Sequence, residues 1–408
     1  MELLKTIFSE TYWMQLNGCV SERATNIKIV VHRVQYNYIH EAILDNPKHN
    51  LVVSSLLVRF PLCKLTSVAS GSSRNELLSI LGIKSSNTNC FMNLKEVITP
   101  LKDIDVMLIN KIILNYTNEV DPRFVIHGPD YGVRVDKVGF DNPQTAVSFI
   151  NKGIERATLK RIHEVLDPKE INNKTSILVI SAAYLKVTWE FPFDIRLTKT
   201  MKFRHHDGNI SMLPMMSKTS SYSYLNDDMT NTQSINIKLA SFGLSITIVV
   251  PQISNGLEKF LLNLSHNPDL LKEFYKRMRY ETINLMLPRF KIKTNIEWNK
   301  HLKKIGLKQI FNESESGLST ILKENSKAKN MYISKMKQQS FIDVDEMGIF
   351  RQTPVRELFD DEHFHRDSRS IEMIVDHPFY FMITLQPDLS DPSDMHELFT
   401  GVYYGPDH

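Results

Sequence analysis

Serine, histidine and aspartate are plentiful in this 408-residue chain, but their spacing supplies no nucleophile with a base. It has no Gly-x-Ser-x-Gly elbow, Gly-rich phosphate loop or His-Glu-x-x-His, the patterns in which a strained turn or a one-face histidine pair does hydrolytic or phosphate chemistry. His205-His206-Asp207 and His363-Phe-His365 could offer imidazole nitrogens to a metal. A zinc site needs three or four ligands, and neither pair has a partner at ligand spacing, so both read as solvated surface features. No metal, no cofactor and no catalysis are expected.

Modification chemistry is better represented. Asn115-Tyr-Thr, Asn173-Lys-Thr, Asn209-Ile-Ser, Asn263-Leu-Ser and Asn312-Glu-Ser are five glycosylation sequons, which weigh toward secretion. Cys19, Cys63 and Cys90 share no metal spacing and leave at least one thiol unpaired, which argues against a disulfide scaffold. The N-terminal "MELLKTIFSETYWMQLNGC" lacks an apolar core of signal-peptide type, so residues 1–26 read as a weak signal or an uncertain extension.

A net charge of +3 is too small to point to nucleic acid, and no apolar run is long enough to span a bilayer. A hydrophobic fraction of 42% suits one large core, and no repeat or linker divides the chain. Helical spacing is found in "IKIVVHRVQYNYIHEAIL" (27–44), "SRNELLSIL" (73–81, with Gly82 beyond) and "AVSFINKGIERAT" (146–158). Strand-like runs dominate the second half: "SILVISAAYLKV", "SINIKLA", "GLSITIVVP", "TINLMLP", "SFIDVDE" and "PFYFMITLQ". Helices first and strands after predict an α+β fold with antiparallel sheets.

Six of these stretches, in order, resemble the serpin family. They are "SILVISAAYLKVTWEFPFD" (176–194), "LPMM" (213–216), "INLMLPRFKI" (283–292) with a "LKKIGLKQIF" helix after it (302–311), "ISKMKQQSFIDVDEMG" (333–348), "DHPFYFMI" (376–383) and "LFTGVYY" (398–404). The resemblance runs from about residue 27 to the C-terminus. It implies a single domain (27–408) of three β-sheets with eight or nine surrounding helices, and an exposed reactive loop at about 346–375. In inhibitory members a serine protease cleaves the loop and forms an acyl-enzyme. The loop then enters the central sheet as a new strand and distorts the protease.

Glu346, Met347 and Gly348 fit the loop's opening, but the small residues that normally follow are replaced by Ile349, Phe350, Arg351, Gln352, Thr353, Pro354 and Val355. On strand periodicity Ile349, Arg351, Thr353 and Val355 face the core once inserted. An unpaired Arg351 there costs several kcal/mol, and Pro354 lacks the N–H that a central strand donates. The family's Ser-Pro-x-Ser, Asn and His cluster at the sheet opening aligns with Ser54-Ser55-Leu56-Leu57, Ser181 and Gln338, so only Ser54 is retained.

Gly348 and Pro378 are thirty positions apart, several more than the resemblance implies. Counting from the loop's start puts the scissile bond after Glu362, and counting from its end puts it near Arg366–Asp367. Arg366 or Arg369 would suit a trypsin-like serine protease, the partner class expected. The segment matching the family's polysaccharide-binding helix, "NLKEVITPLKDIDV" (93–106), has two lysines against three acids and is no heparin site. Trp189 and Phe191-Pro192-Phe193 read as core, and "EFYKRMRYE" (273–281) as a solvated helix face. The expectation is a secreted, monomeric family member whose loop is cleaved without trapping the protease. The alternative is a suicide-substrate inhibitor cut near Arg366 or Arg369.

Overall fold

The computed structural model describes residues 39, 41–83, 106–129, 132–324, 326, 331–349, 370–386 and 395–406. After a helical stretch at 41–45 come β1 (Leu51–Val53), α1 (Ser55–Thr66), α2 (Gly71–Ile80), β2 (Val106–Asn115), α3 (Pro122–Ile126), β3 (Arg134–Val138), α4 (Pro143–Ala157), β4 (Ile177–Leu185) and β5 (Val187–Thr188). The strands β6 (Lys199–Arg204), β7 (Ile210–Asp227), β8 (Thr232–Lys238) and β9 (Leu244–Pro251) follow, then α5 (Leu257–His266) and α6 (Leu270–Arg277). The chain finishes with β10 (Arg279–Pro288), β11 (Phe290–Glu297), α7 (Asn299–Lys304), β12 (Ile333–Asp345), β13 (Gly348–Ile349), β14 (Ile371–Ile374), β15 (Phe379–Leu385) and β16 (His396–Tyr403).

The central sheet has the order β3-β2-β4-β12, with β11 on the far side of β12 and the short β13 between β12 and β5. A second ladder runs β1-β16-β15-β9-β8-β7-β10-β14, with β6 against β7. The three sheets implied by the resemblance are therefore two continuous ladders among the described residues. The 18-residue β7 makes the second ladder continuous, pairing with β6 along its first part, with β10 from Met215 to Tyr224 and with β8 along its last.

β4 is buried along its whole length, which is why it is a continuous apolar run rather than an alternating one. Its odd-numbered residues, Ile177, Val179, Ala183 and Leu185, join the main core; Leu178, Ile180 and Ala182 face a second cluster under α4. That helix is set by its sequence: Asn142 caps it by accepting from the Thr145 N–H, Pro143 opens it, and Ala146, Val147, Ile150 and Ile154 form one buried stripe. Gly82 ends the α2 segment with φ +66°, in the left-handed region expected of a glycine stop.

Two readings are corrected. The helix expected over 302–311 ends at Lys304, because Gly306 at φ +105° breaks it and a 3₁₀ turn replaces its second half. Trp189 and Phe193 are in the core, but Phe191 between them is exposed.

Candidate functional site at the seam of the central sheet

β4 and β12 run parallel and pair directly from Ile177–Ile333 to Tyr184–Phe341, so the lower seam is closed. Above it the chain turns at Glu346–Met347 and sends Gly348 and Ile349 back between the two strands. Ile349 pairs with Val344 on one side and Val187 on the other, and its side chain is fully buried. The start of the segment read as the reactive loop occupies the top of the sheet.

Gly348 makes this entry possible. Its φ is +144°, and a Cβ there would lie 2.2 Å from the Val187 carbonyl oxygen and 2.5 Å from Thr188 Cα, both backbone atoms that cannot step aside. The turn is anchored from β5 and its continuation: Trp189 N–H donates to Met347 O (3.1 Å), Trp189 Nε1 to Asp345 O (2.8 Å) and Phe193 N–H to Glu346 O (2.9 Å).

Glu346 is buried yet well supplied with donors. Arg289 Nε and Nη2 donate to its Oε1 at 2.8 and 2.6 Å, and Thr198 Oγ1 donates to the same oxygen at 2.6 Å. A charge taken out of water is tolerated when it is hydrogen-bonded to an opposite charge. Beside it, burial raises the Asp345 carboxyl above its ordinary value. Lys218 Nζ donates to the carbonyls of Phe191 (2.9 Å) and Pro192 (3.2 Å), and burial pushes its ammonium down to about 8.

Below the wedge, Ser181 and Gln338 are register partners across the seam. Ser181 Oγ has two acceptors in reach, Asn110 Oδ1 at 2.9 Å and Leu57 O at 3.2 Å, both on its own side. Gln338 Oε1 accepts from Trp298 Nε1 (3.1 Å) and its Nε2 donates to Ser340 Oγ (2.8 Å). The buried Ser54 Oγ has no hydrogen-bond partner among the described residues. Among the described residues, no side-chain hydrogen bond joins Ser181 to Gln338.

Of the loop residues singled out by sequence, Glu346, Gly348 and Ile349 meet at this seam. Arg351, Pro354, Glu362, Arg366 and Arg369 lie outside the described residues, as does 93–105 of the polysaccharide-helix segment. Asn173, Asn209 and Asn312 are exposed, and Asn115 and Asn263 half-buried, so burial excludes none of the five sequons. Among the described residues no group of three or more His, Cys, Asp or Glu could hold a metal, and no helix is long and apolar enough to cross a membrane. His205, read as solvated, is buried, with Nε2 2.7 Å from Ser211 Oγ.

Sequence reasoning missed three features. Cys63, deep in α1, is disulfide-bonded. Arg289 clamps Glu346 across 57 residues, and Lys337 on β12 binds Glu170 across 167. No local pattern reports contacts between residues so far apart.

The family model for Serpin (serine protease inhibitor) matches residues 31–390. Antichymotrypsin-2 of Bombyx mori is 26% identical over 311 residues, covering 76% of this chain and 81% of its own. Serpin48 of the insect Tenebrio molitor superposes with a TM-score of 0.80 at 23% identity, over 93% of this chain and 98% of its own. Arabidopsis AtSerpin1 in its native stressed conformation gives a TM-score of 0.80 at 20% identity, over 94% and 99%.

Proposed function

The chain belongs to the serpin family, and from that premise we propose a secreted member whose loop proteases cut without being trapped, so that it acts as a decoy substrate, a protease-binding partner or a carrier. The supporting observation is the register of the seated hinge. Val344 pairs with Ile349 and Ile349 with Val187, so each further residue entering the sheet lowers both partner numbers by one. The same counting places Gln352 between Phe341 and Tyr184, which are already partners.

Continued insertion would set Arg351 between Ile342 and Leu185, each no more than 2% exposed and both in the main core. An unpaired ion there costs several kcal/mol. Pro354 would fall between Gln339 and Ala182 with a strand on each side, where its missing N–H leaves one carbonyl without a donor. Trapping requires insertion to outrun hydrolysis of the acyl-enzyme, so an obstacle within the first turns of the strand favours release of the protease.

Extracellular residence is supported by the five sequons, none with a buried asparagine, and by the Cys63 disulfide, since disulfides persist in oxidising compartments. One observation favours a second reading, a suicide-substrate inhibitor of a trypsin-like protease cut near Arg366 or Arg369: Ile349 already sits in the sheet. Two measurements separate the readings. The thermal midpoint before and after nicking the loop should stay nearly unchanged, and trypsin should give cleaved protein with no detergent-stable complex. A large rise together with such a complex would sink the non-trapping proposal.

A further inference from the structure

Asn115 is the last residue of β2, with its backbone in register with Val138 of β3. Its Oδ1 accepts the Thr117 N–H at 3.3 Å, and its Nδ2 makes no hydrogen bond among the described residues. The amide nitrogen at which N-glycosylation occurs is therefore left free. Elsewhere the setting differs. Asn209 Nδ2 donates to Asp207 Oδ2 at 2.7 Å, Asn263 lies within α5, and the Thr175 hydroxyl of the Asn173 sequon is buried and accepts from Asn172 N–H. Asn312 shares the turn, with Ser314 N–H at 3.0 Å.

What sets Asn115 apart is the surface next to it. A groove of about 390 Å³ opens beside the sequon, floored by Tyr116 and walled by Phe149 on α4, with Lys137 and Asp141 at its polar margin. Tyr116 and Phe149 are 57% and 54% exposed, an unusual arrangement for two neighbouring rings unless something covers them. The Tyr116 ring is nonetheless fixed. Its hydroxyl donates to Asp141 Oδ2 at 3.2 Å, and its edge lies on the bare backbone of Gly139, where a Cβ would meet Cε1 at 2.6 Å.

A pyranose has one face of C–H groups and a rim of hydroxyls, so it matches a fixed aromatic floor with charged and amide groups at its edge. We infer that Asn115 carries an N-linked glycan whose first sugar lies in this groove over Tyr116. This rests on the secretory reading above. The glycan covers the two rings and pins the end of β2 to the start of α4.

The test uses the full chain made with a supplied secretion leader in cells that form only high-mannose glycans, so entry into the secretory pathway is not itself at issue. A parallel culture without the leader reports on native secretion alone. Peptide mass spectrometry should find Asn115 occupied, and Asn115→Gln should lose one glycan's mobility shift. Trimming to the first sugar should keep the thermal midpoint, while full removal should lower it, and Tyr116→Ala should abolish that difference. An unoccupied Asn115 would overturn the inference. So would a midpoint that depends on the first sugar equally with and without the Tyr116 ring.

Discussion

Lys337 Nζ lies 2.8 and 2.9 Å from the two carboxylate oxygens of Glu170, tying β12 to the 3₁₀ turn at Pro168–Glu170 between α4 and β4. Lys337 pairs with Ile180 across the seam, so the bond spans the line along which a new strand would enter. The Lys337 side chain is 9% exposed and that of Glu170 25%. Screening by water is weak there, and loss of one partner is felt more than loss of an exposed pair.

Glu170→Gln leaves the lysine charge buried and poorly compensated. It is expected to lower stability by roughly 1–3 kcal/mol and to speed hydrogen exchange along β4 and β12. Lys337→Met removes the charge and keeps the stem's packing, so its cost should be under about 1 kcal/mol. Denaturant unfolding of the two variants checks the order; equal losses would mean that the pair is not desolvated.

Gly348→Ala places a methyl group on the backbone of Val187 and Thr188. The hinge should leave the seam and expose Ile349, with a loss of roughly 1–3 kcal/mol. Trp189, which donates to Asp345 and Met347, is a built-in reporter. Its emission should shift to the red, and a Gly348→Ala protein with unchanged emission would mean that the wedge tolerates the substitution.

If the protein is non-trapping as proposed, replacing Arg351 and Pro354 should convert it into a trapping inhibitor. The double variant Arg351→Thr, Pro354→Ala restores a small side chain and a backbone N–H where the register places them between β12 and β4. Nicking should then raise the thermal midpoint strongly, and a fraction of trypsin should appear in a detergent-stable complex. If the double variant behaves as the parent does, the barrier lies elsewhere, with the Lys337–Glu170 bond as the next place to test.

Glu397 on β16 is 3% exposed, its carboxylate buried beside the Thr400 hydroxyl. Burial pushes it up to about 7, against the pull of the Thr400 hydroxyl and then of the Arg59 charge. A folded value above the unfolded one means that the native state binds the proton more tightly, so stability falls as pH rises from about 4.5 to about 7 and is flat above. Glu397→Gln should flatten that part of the profile and raise the midpoint at pH 8 relative to the parent. Parallel profiles for the two proteins would show that the carboxylate is hydrated in the native state.

The local elements were written in the sequence. The unbroken apolar run of β4, the cap and stripe of α4 and the glycine after α2 depend on neighbours a few residues away, and short-range periodicity reports such neighbours. The family pattern likewise rests on short strings in order, and Glu346, Gly348 and Ile349 were found through it. The tertiary structure decided what depends on distant partners. Phe191 and Phe193 are the same residue type two positions apart, yet Phe193 enters the core and Phe191 lies over Lys218 at the surface. The length of β7, the seating of Ile349 between Val344 and Val187, the Arg289 clamp on Glu346 and the Lys337–Glu170 tie all require strands far apart in the chain to meet in one register. A linear pattern specifies which face a side chain prefers; only the assembled sheets specify which side chain it meets there.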